Sequence, residues 1–323
     1  MSRLLDCVSS FRSLPFQSFL AAALVSMLAA DLVAQGLVPG TGRKITQVGD
    51  NFEDAEWGYV PNRPKSTRNL DKNDREPAGF SKNERWYEGP KRGQPDLIRR
   101  VPTPEGGLSG SEGALMLRSC YTGIPGSPSY EMQQDDFIAD VQYALGGPIP
   151  LSRAPSVVVR VYLPPFKHWE KRTGPTFAFR ASVEPPASNH SYSRWSRKPK
   201  EPDTYWPGML IDFHSKADSD TKEEVAYLRI RSDESGNDYR GPRLKELGWW
   251  TLGMSFTPNG QVHYYASPGV DDLTQKDYIA SHFCYGERGI ELNTFFFNVC
   301  SADDGRTWST PWIIDDPTVY IAR

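Results

Sequence analysis

The second half of the chain consists of short β-branched and aromatic runs separated by turn-forming residues, and this pattern constrains the fold most. Nine runs follow one another, at 114–118, 156–163, 176–183, 209–214, 225–231, 249–257, 261–266, 292–300 and 312–314. Runs of this length and spacing predict the strands of a sandwich, jelly roll or barrel. Helical periodicity is almost absent, so the predicted fold class is all-β.

The turns between these runs predict that neighbouring strands are antiparallel. Pro258, Asn259 and Gly260 stand between two runs. Proline suits the first central position of a turn, while asparagine and glycine accept positive φ, so this segment predicts a hairpin. Strand, turn and strand alternate in the same way through the second half. The sequence therefore predicts an antiparallel β-sandwich of jelly-roll type.

The first 34 residues differ from the rest and have the layout of a secretory signal peptide. Arg3 and Arg12 form a positive region, an apolar run follows, and Ala34 is a plausible last residue before cleavage. The alternative is an uncleaved N-terminal anchor or a buried helix. The apolar run is shorter than the roughly 20 residues needed to cross a bilayer. We therefore expect a secreted, periplasmic or cell-envelope protein whose mature chain has no membrane span.

The remaining residues divide into an irregular part and a strand-rich part. Residues 35–110 are rich in glycine, proline, asparagine and charge, which predicts a long irregular arm with two small strands, at 51–53 and 84–87. Residues 111–323 form the main β-sandwich, in a single domain with 50–110. The net charge of −3 and the scattered basic residues do not favour nucleic acid as a partner.

Three cysteines remain after removal of a signal peptide, namely Cys120, Cys284 and Cys300. An odd number in an exported protein predicts one disulfide and one free thiol. Cys284 and Cys300 flank one turn-rich segment and form the favoured pair, with Cys120–Cys300 as the alternative. Spacing typical of a zinc site is absent, and no cofactor is expected. A structural calcium ion at Asp218 and Asp220 is an option, but a solvated acidic turn is the favoured interpretation.

Alternation along the predicted strands separates an apolar face from a polar and aromatic one. If the strands neighbour one another in one sheet, the second face forms a broad floor suited to a glycan. Aromatic rings stack on sugars, and arginine forms paired hydrogen bonds to carboxylate or sulfate groups. The alternative is an ordinary solvated sheet face with paired charges. The candidate ligand-binding residues are Arg160, Arg180, Asp212, His214, Tyr227, Arg229, His263 and Tyr265.

A resemblance to a known group of proteins, at the level of the general pattern of strands and turns, supports this interpretation. Phe52 and Trp57, the Ser-Gly-Ser-Glu-Gly-Ala-Leu-Met-Leu strand at 109–117 and the successive hairpins resemble the concanavalin A-like lectin and glucanase jelly rolls. The resemblance implies a polysaccharide bound or cut on a concave sheet. The glucanase pattern E-x-D-x-x-E is absent, and Asp212 with His214 supplies one carboxylate only, whereas glycoside hydrolysis requires two.

A shorter resemblance concerns residues 301–308, whose sequence Ser-Ala-Asp-Asp-Gly-Arg-Thr-Trp is similar to the Asp-box of sialidases. In this motif an aspartate caps backbone donors at a hairpin tip, and the tryptophan packs beneath it. The motif is structural and implies no catalytic residue. Sialidase propellers carry several copies of the motif, whereas this chain has one clear copy. A six-bladed β-propeller would fit the length and is the alternative fold.

Exposed aromatic residues and a catalytic set complete the candidates. One ring of the pair Trp249 and Trp250 must face outward, and the loop with residues 190–195 and 205–206 carries further rings. A polysaccharide lyase requires groups that neutralise a uronate and a base within reach of the proton, for which His214, His263 and Tyr265 are the candidates.

The sequence favours an exported, lectin-like polysaccharide-binding protein over an enzyme. The first alternative is a polysaccharide lyase or glycoside hydrolase that uses the same face. The second is a structural or protein-binding envelope component.

Overall fold

In the computed structural model of the chain, nearly all regular secondary structure consists of antiparallel strands in two sheets. The structure describes residues 37–67, 76–124, 126–185, 204–217 and 221–322. The predicted antiparallel sandwich of jelly-roll type is confirmed, and the described strands do not form the blades of a propeller. The predicted signal peptide lies outside the described residues. Within them, no helix is both long and apolar enough to cross a membrane.

The first sheet has eight strands and the second has ten. The first contains β1 (Arg43–Gly49), β5 (Leu97–Pro102), β6 (Gly113–Arg118), β9 (Pro155–Leu163), β14 (Gly248–Phe256), β15 (Val262–Pro268), β16 (Tyr278–His282) and β18 (Trp312–Ile321). The second contains β2 (Tyr59–Val60), β3 (Phe80–Ser81), β4 (Tyr87–Glu88), β7 (Gln133–Asp140), β8 (Ile149–Pro150), β10 (Gly174–Glu184), β11 (Gly208–His214), β12 (Val225–Arg231), β13 (Tyr239–Leu244) and β17 (Glu291–Ser301).

Strand order differs from chain order in both sheets. The first runs β16-β15-β14-β9-β18-β6-β5, with β1 also paired to β18. The second runs β13-β12-β11-β10-β17-β7-β4-β3-β2, with β8 paired to β17. A short helix α1 (Val141–Leu145) follows β7, and four 3-10 turns lie at Leu151–Arg153, Phe166–His168, Gln275–Asp277 and Cys284–Gly286.

The core lies between the sheets and is rich in aromatic rings. Phe177 and Phe179 on β10 stack on Phe297 of β17, each at 5.7 Å between ring centroids. Trp86 stacks on Phe137 of β7 at 4.5 Å with the rings nearly parallel. Ring pairs of this kind add about 0.5–1.5 kcal/mol beyond their area burial. The inward residues of β9, β10, β11 and β12 are those predicted by alternation.

The predicted irregular arm contributes more structure than expected. Strand β1 pairs with β18, and β5 pairs with β6 over its whole length. Phe52 and Trp86 are fully buried in the common core. Residues 51–53 are not a strand, and the second predicted strand is the two-residue β4. The N-terminal segment thus contributes strands to both sheets and aromatic rings to the core between them.

Part of the outer face of the first sheet is covered by apolar residues, whereas alternation predicts a polar and aromatic face opposite the core. Val158 and Tyr265 pack there against Leu273, with Val38 and Tyr320 beside them. This second small apolar cluster exists because segments before β1 and after β15 lie across the strands. Trp249 is buried on this side as well, where its indole nitrogen donates to the Pro104 carbonyl at 3.3 Å.

The disulfide prediction is wrong, since Cys120, Cys284 and Cys300 are all free and buried. The Cys284 sulfur lies 3.6 Å from the Tyr264 hydroxyl. Cys300 lies in β17 opposite Gln134 of β7. Cys284 and Cys300 thus pack against different neighbours, although they flank one segment of the sequence. The alternative Cys120–Cys300 pairing does not occur either.

In the segment that resembles an Asp-box, Asp303 binds neighbouring backbone amides, but Trp308 is not placed as the motif predicts. Asp303 accepts backbone hydrogen bonds from Thr122 at 3.2 Å and Ser129 at 3.0 Å. The expectation that Trp308 packs beneath the turn is wrong, because its side chain is 41% exposed. The Arg118 guanidinium lies 5.3 Å above the Trp308 ring instead. Capping by the aspartate therefore anchors this turn without help from the tryptophan.

Candidate functional site

A row of directly paired residues crosses the outer face of the second sheet. Arg180 of β10 is opposite Phe296 of β17 on one side and Gly208 of β11 on the other. Phe296 is in turn opposite Ile138 of β7, and Gly208 is opposite Arg231 of β12. Directly opposed residues of an antiparallel pair share one face. Register therefore places two arginines and an aromatic ring side by side on this face.

This row forms part of the floor of a groove with a volume of about 810 Å³. The turn between Gly89 and Gly93 borders the groove, α1 borders it at the end of β7, and residues 204–206 border it beside β10. A volume of this size lies within the usual range of about 300–1,000 Å³ for small-molecule sites. The groove is therefore large enough for several sugar units along the sheet.

Arg180 lies at the centre of the groove floor and is only 5% exposed. Its guanidinium donates to Asn298 Oδ1 at 3.5 Å and to the Trp206 carbonyl at 3.2 Å, and it lies 5.2 Å above the Phe296 ring. Burial, and secondarily the charge of Arg231, lowers the pKa of Arg180 to about 10. Within the described part of the chain, no carboxylate forms an ion pair with it. The floor thus carries a desolvated cation without a direct anionic partner.

Two glycines make room for the polar groups of the floor. A Cβ atom at Gly208 would lie 2.5 Å from Arg180 Cγ, so the arginine lies flat across β11 only because residue 208 has no side chain. A Cβ atom at Gly89 would lie 2.6 Å from Asp136 Cβ. Glycine in a strand often marks such a close approach. Both floor residues therefore depend on a glycine in the neighbouring segment.

Asp136 of β7 is an acidic residue that hydrogen bonds connect to Arg180. Asn298 links the two residues, because its Nδ2 donates to Asp136 Oδ1 at 2.6 Å while its Oδ1 accepts from Arg180. Burial raises the pKa of Asp136 to about 6, although the charges of Arg92 and Arg180 lower it. A carboxyl group with such a pKa changes charge just below neutral pH, and perturbed groups of this kind are enriched at functional sites.

The turn from Gly89 to Gly93 carries two further cations to the rim. Gly89 and Gly93 exchange backbone hydrogen bonds of 3.2 and 2.9 Å, and the Asp136 amide donates to the Gly93 carbonyl at 3.0 Å. Gly93 adopts a φ of 79° that suits glycine. Lys91 and Arg92 therefore project beside Asp136, and among the described residues neither forms an ion pair.

Exposed aromatic rings stand at both sides of the groove. Trp206 is 44% exposed, and Tyr143 of α1 is 70% exposed. Tyr143 contacts Tyr87 edge to face at 5.7 Å. Asp140 is the N-cap of this helix, and its carboxylate accepts from the Tyr143 amide at 2.9 Å. This N-cap fixes the tyrosine at the groove entrance.

Of the sequence-predicted ligand residues, Arg180 lines the groove, and four others lie on the same sheet face outside it. Asp212 is four residues beyond Gly208 on β11, or about 13 Å along the strand. Arg229 Nε donates to Asp212 Oδ2 at 3.2 Å. His214 and Tyr227 contact Arg240, whose guanidinium lies 4.5 Å above the Tyr227 ring. Within this cluster, Asp212 is thus paired with Arg229.

The expectation that all eight residues form one floor is wrong, because three lie in the first sheet. Arg160 is 4% exposed and pairs with Asp272 at 2.9 Å and Asp316 at 3.4 Å. His263 donates to or accepts from Thr257 at 3.1 Å, and burial lowers the pKa of His263 to about 4.

Tyr265 is fully buried against Tyr278, and burial raises its pKa to about 12. The catalytic set of His214, His263 and Tyr265 is therefore wrong, since its members lie in two different sheets.

Sequence reasoning missed Asp136, Lys91 and Arg92. The strand that carries Asp136 begins Gln-Gln-Asp-Asp, so its alternation starts to show only at Phe137 and Ala139. The Gly-Pro-Lys-Arg-Gly sequence at 89–93 was a usable turn signal. Asp218 and Asp220, for which calcium is the less favoured interpretation, and the aromatic loop at 190–195 lie outside the described residues.

The sequence matches no protein-family model, and no curated protein matches it either. Among solved structures, an alginate lyase from Pseudomonas aeruginosa is similar, with a TM-score of 0.39 and 9% identity over 71% of this chain and 87% of that one. A fungal glucuronan lyase from Trichoderma reesei has a TM-score of 0.38 and 11% identity over 82% of this chain and 94% of that one. A β-glucanase catalytic domain from Podospora anserina has a TM-score of 0.39 and 8% identity over 70% and 80%. Similarity this distant carries no information about a ligand.

Proposed function

We propose that this chain is an exported protein that binds an acidic polysaccharide in the groove over the second sheet. The observation that carries the proposal is Arg180, a buried guanidinium in the groove floor without a carboxylate partner among the described residues. Buried charges in proteins are usually paired, because an unpaired one retains its desolvation cost. A carboxylate or sulfate on a bound glycan would pair with it.

The charges around Arg180 favour the same ligand. Lys91, Arg92 and Arg231 add positive charge to the groove lining. Arginine recognises carboxylates and sulfates through paired, charge-assisted hydrogen bonds. A polyanion that follows the groove would meet these cations one after another.

Most acidic groups of the lining are already engaged by the protein. Both Glu88 oxygens accept backbone hydrogen bonds, from residues 66, 78 and 79 at 2.7–3.0 Å. Asp140 caps α1, and Glu184 accepts from Asn293 at 2.6 Å. Asp136 accepts from Asn298 Nδ2 at 2.6 Å, and its raised pKa of about 6 reduces its negative charge near that pH. The groove therefore presents mainly donors to a ligand.

The aromatic rings support a sugar ligand over a small inorganic anion. Trp206 and Tyr143 expose large ring surfaces at the groove margins. Side chains with an apolar body and a polar tip are well suited to contact surfaces that are partly apolar and partly wet. The two faces of a pyranose ring have this character. Sugar units at both ends of the groove would stack there, while Arg180 pairs with an acidic group between them.

A second candidate function is cleavage of the same polymer by elimination, and the pKa of Asp136 favours it. In this reaction Arg180 would neutralise a uronate carboxylate, and ionised Asp136 would remove the adjacent ring proton. The electron pair would form a C=C bond as the glycosidic C–O bond breaks, and the leaving oxygen would take up a proton. A base with a pKa near the working pH suits such a transfer.

Hydrolysis fits the groove less well, because it requires two suitably spaced carboxyl groups. Asp136 and Asp140 share one face of β7 but lie about 13 Å apart along the strand. Glycoside hydrolases hold their two carboxyl groups about 5–9.5 Å apart. Asp140 also caps α1. The geometry therefore favours binding first and elimination second.

The test is binding of the full chain to a panel of acidic and neutral polysaccharides, with unsaturated and reducing-end products monitored. Arg180→Met should abolish binding of acidic polymers, whereas Arg240→Met, on the same sheet but outside the groove, should not affect it. Accumulation of unsaturated product that is lost in Asp136→Asn would establish the lyase. Binding that depends on Arg240 and not on Arg180, or binding to no glycan, would refute the proposal.

A further inference from the structure

A lysine and two aspartates lie buried together behind the turn that borders the groove. Lys65 and Asp135 are both completely buried, and Lys65 Nζ lies 2.5 Å from Asp135 Oδ2. The same nitrogen lies 3.1 Å from Asp96 Oδ2 and also contacts the Tyr121 carbonyl. Lysine and aspartate are rarely buried to this extent unless they are paired. The function proposed above does not use this cluster.

We propose that Lys65 and Asp135 condense to an amide, which crosslinks the N-terminal segment to β7. The Lys65 Nζ forms a bond to Asp135 Cγ, and a C–O bond of the carboxyl group breaks. The ammonium and carboxylate together become one secondary amide and one water molecule. No oxidant, reductant or other reactant is needed, because water carries away the oxygen and two protons.

The geometry suits a direct attack. Because Cγ is bonded to Oδ2, the 2.5 Å contact puts Nζ at about the 3–3.5 Å separation of a near-attack arrangement. Ser119 Oγ donates to Asp135 Oδ2 at 2.6 Å. Asp135 Oδ1 has no hydrogen-bond partner within the described residues. One oxygen is thus polarised by a donor, and the carboxyl group is not locked by a full set of bonds.

Asp96 is placed to carry the proton between the amine and the departing oxygen. It contacts Lys65 Nζ and is held by the backbone amides of Cys120 and Tyr121, at 2.9 and 2.8 Å. Arg63 pairs with its other oxygen at 2.9 Å. These fixed donors keep one Asp96 oxygen directed at the reacting nitrogen. It can accept a proton from the ammonium and return it to the leaving hydroxyl.

The environment favours a neutral carboxyl group on Asp135 and the neutral product. Burial raises the pKa of Asp135 well above its usual range, although the charge of Lys65 lowers it. A neutral carboxyl group is the form that an amine attacks. A buried ion pair also retains a desolvation penalty that an amide does not have. Both side chains are fully buried, so the amide has little contact with bulk water once the released water molecule has left.

The crosslink would fix the position of the cationic turn. Gly93 packs directly on Lys65, since a Cβ atom at residue 93 would lie 2.8 Å from Lys65 Cβ. Asp135 is also the neighbour of Asp136 in β7. A covalent bond between positions 65 and 135 therefore holds Lys91 and Arg92 over the groove. The two positions are 70 residues apart in the chain.

Tryptic digestion of the purified full chain, followed by mass spectrometry, tests the proposal. An amide would block cleavage after Lys65 and join peptide 45–68 to peptide 119–153, with a total mass one water below the sum of the two. Separate peptides 45–65 and 119–153 at full mass, recovered quantitatively from the folded wild type, would overturn it.

Two variants sharpen this experiment, although the wild-type digest decides alone even if a variant does not fold. Lys65→Arg keeps the positive charge and should release peptide 119–153 unmodified. Asp135→Asn should form the same linked pair of peptides, with a total mass one ammonia below the sum of the two variant peptides. Loss of glycan binding without a change in the digest would concern the groove alone, so the two proposals fail independently.

Discussion

Replacing Arg180 by methionine should strengthen the fold while it abolishes binding. Methionine has a similar volume and no charge, so it fills the space over Phe296 without an unpaired cation. A residue whose role is structural would show the opposite combination. The substitution therefore separates a ligand-binding role for Arg180 from a role in the fold.

The magnitude follows from the electrostatics of the buried guanidinium. A tenfold change in proton affinity equals about 1.4 kcal/mol. The lowering of the Arg180 pKa to about 10 therefore corresponds to a penalty of about 3 kcal/mol on the charged form. The penalty is fully present at pH 7 and would decline only above about pH 10, where the folded state loses its proton first.

Part of this gain is offset by lost contacts. The hydrogen bonds from Arg180 to Asn298 and to the Trp206 carbonyl are long, and hydrogen bonds from charged groups contribute about 1.5–3 kcal/mol at most. We therefore expect a net increase of about 0–1.5 kcal/mol in the free energy of unfolding, in line with buried charges replaced by apolar groups. Urea denaturation at pH 7 measures it. A loss of more than about 1 kcal/mol with binding retained would refute the reasoning.

Three further predictions concern the groove and the thiols. The affinity for an acidic oligosaccharide should be about 5–30-fold higher at pH 5 than at pH 7.5, because protonation of Asp136 near pH 6 removes a repulsion of about 1–2 kcal/mol. In the Asp136→Asn variant, the affinity measured in the same binding assay should not depend on pH. Gly208→Ala should weaken binding about tenfold and destabilise the fold by about 1–3 kcal/mol, as measured by calorimetry and denaturation, because the new methyl group displaces Arg180. Cys284 and Cys300 should resist alkylation at pH 8 until the protein unfolds, because burial raises the pKa of Cys284 to about 11 and of Cys300 to about 12; rapid labelling of the native protein would contradict this.

The sequence allowed the strands and their inward faces to be predicted, because both follow from local alternation. Phe177 and Phe179 are buried, and Arg180, which follows Phe179 in the strand, points to the other side. The strand with Asp136 escaped because four polar residues precede its first buried ring, Phe137. Local alternation thus predicts a strand where apolar and polar residues alternate, but it does not predict a strand that begins with a run of polar residues.

The composition of the site could not be predicted, because it depends on strand order and on loops. Arg160 and Arg180 both stand between apolar residues in predicted strands, yet they end in different sheets. A segment after β15 covers Arg160 and supplies Asp272 as its partner. No comparable carboxylate reaches Arg180 within the described chain. Contacts between residues about 110 positions apart decide which arginine stays available for a ligand.

Titration calorimetry with a matched pair of ligands tests the central claim most directly. The full chain is titrated with an oligouronate and with a neutral oligosaccharide of the same length, at low and moderate salt. The groove predicts saturable binding of the oligouronate that weakens with salt, little binding of the neutral ligand, and loss of binding in Arg180→Met. Equal affinity for both ligands, or oligouronate binding that survives the substitution, would contradict the account.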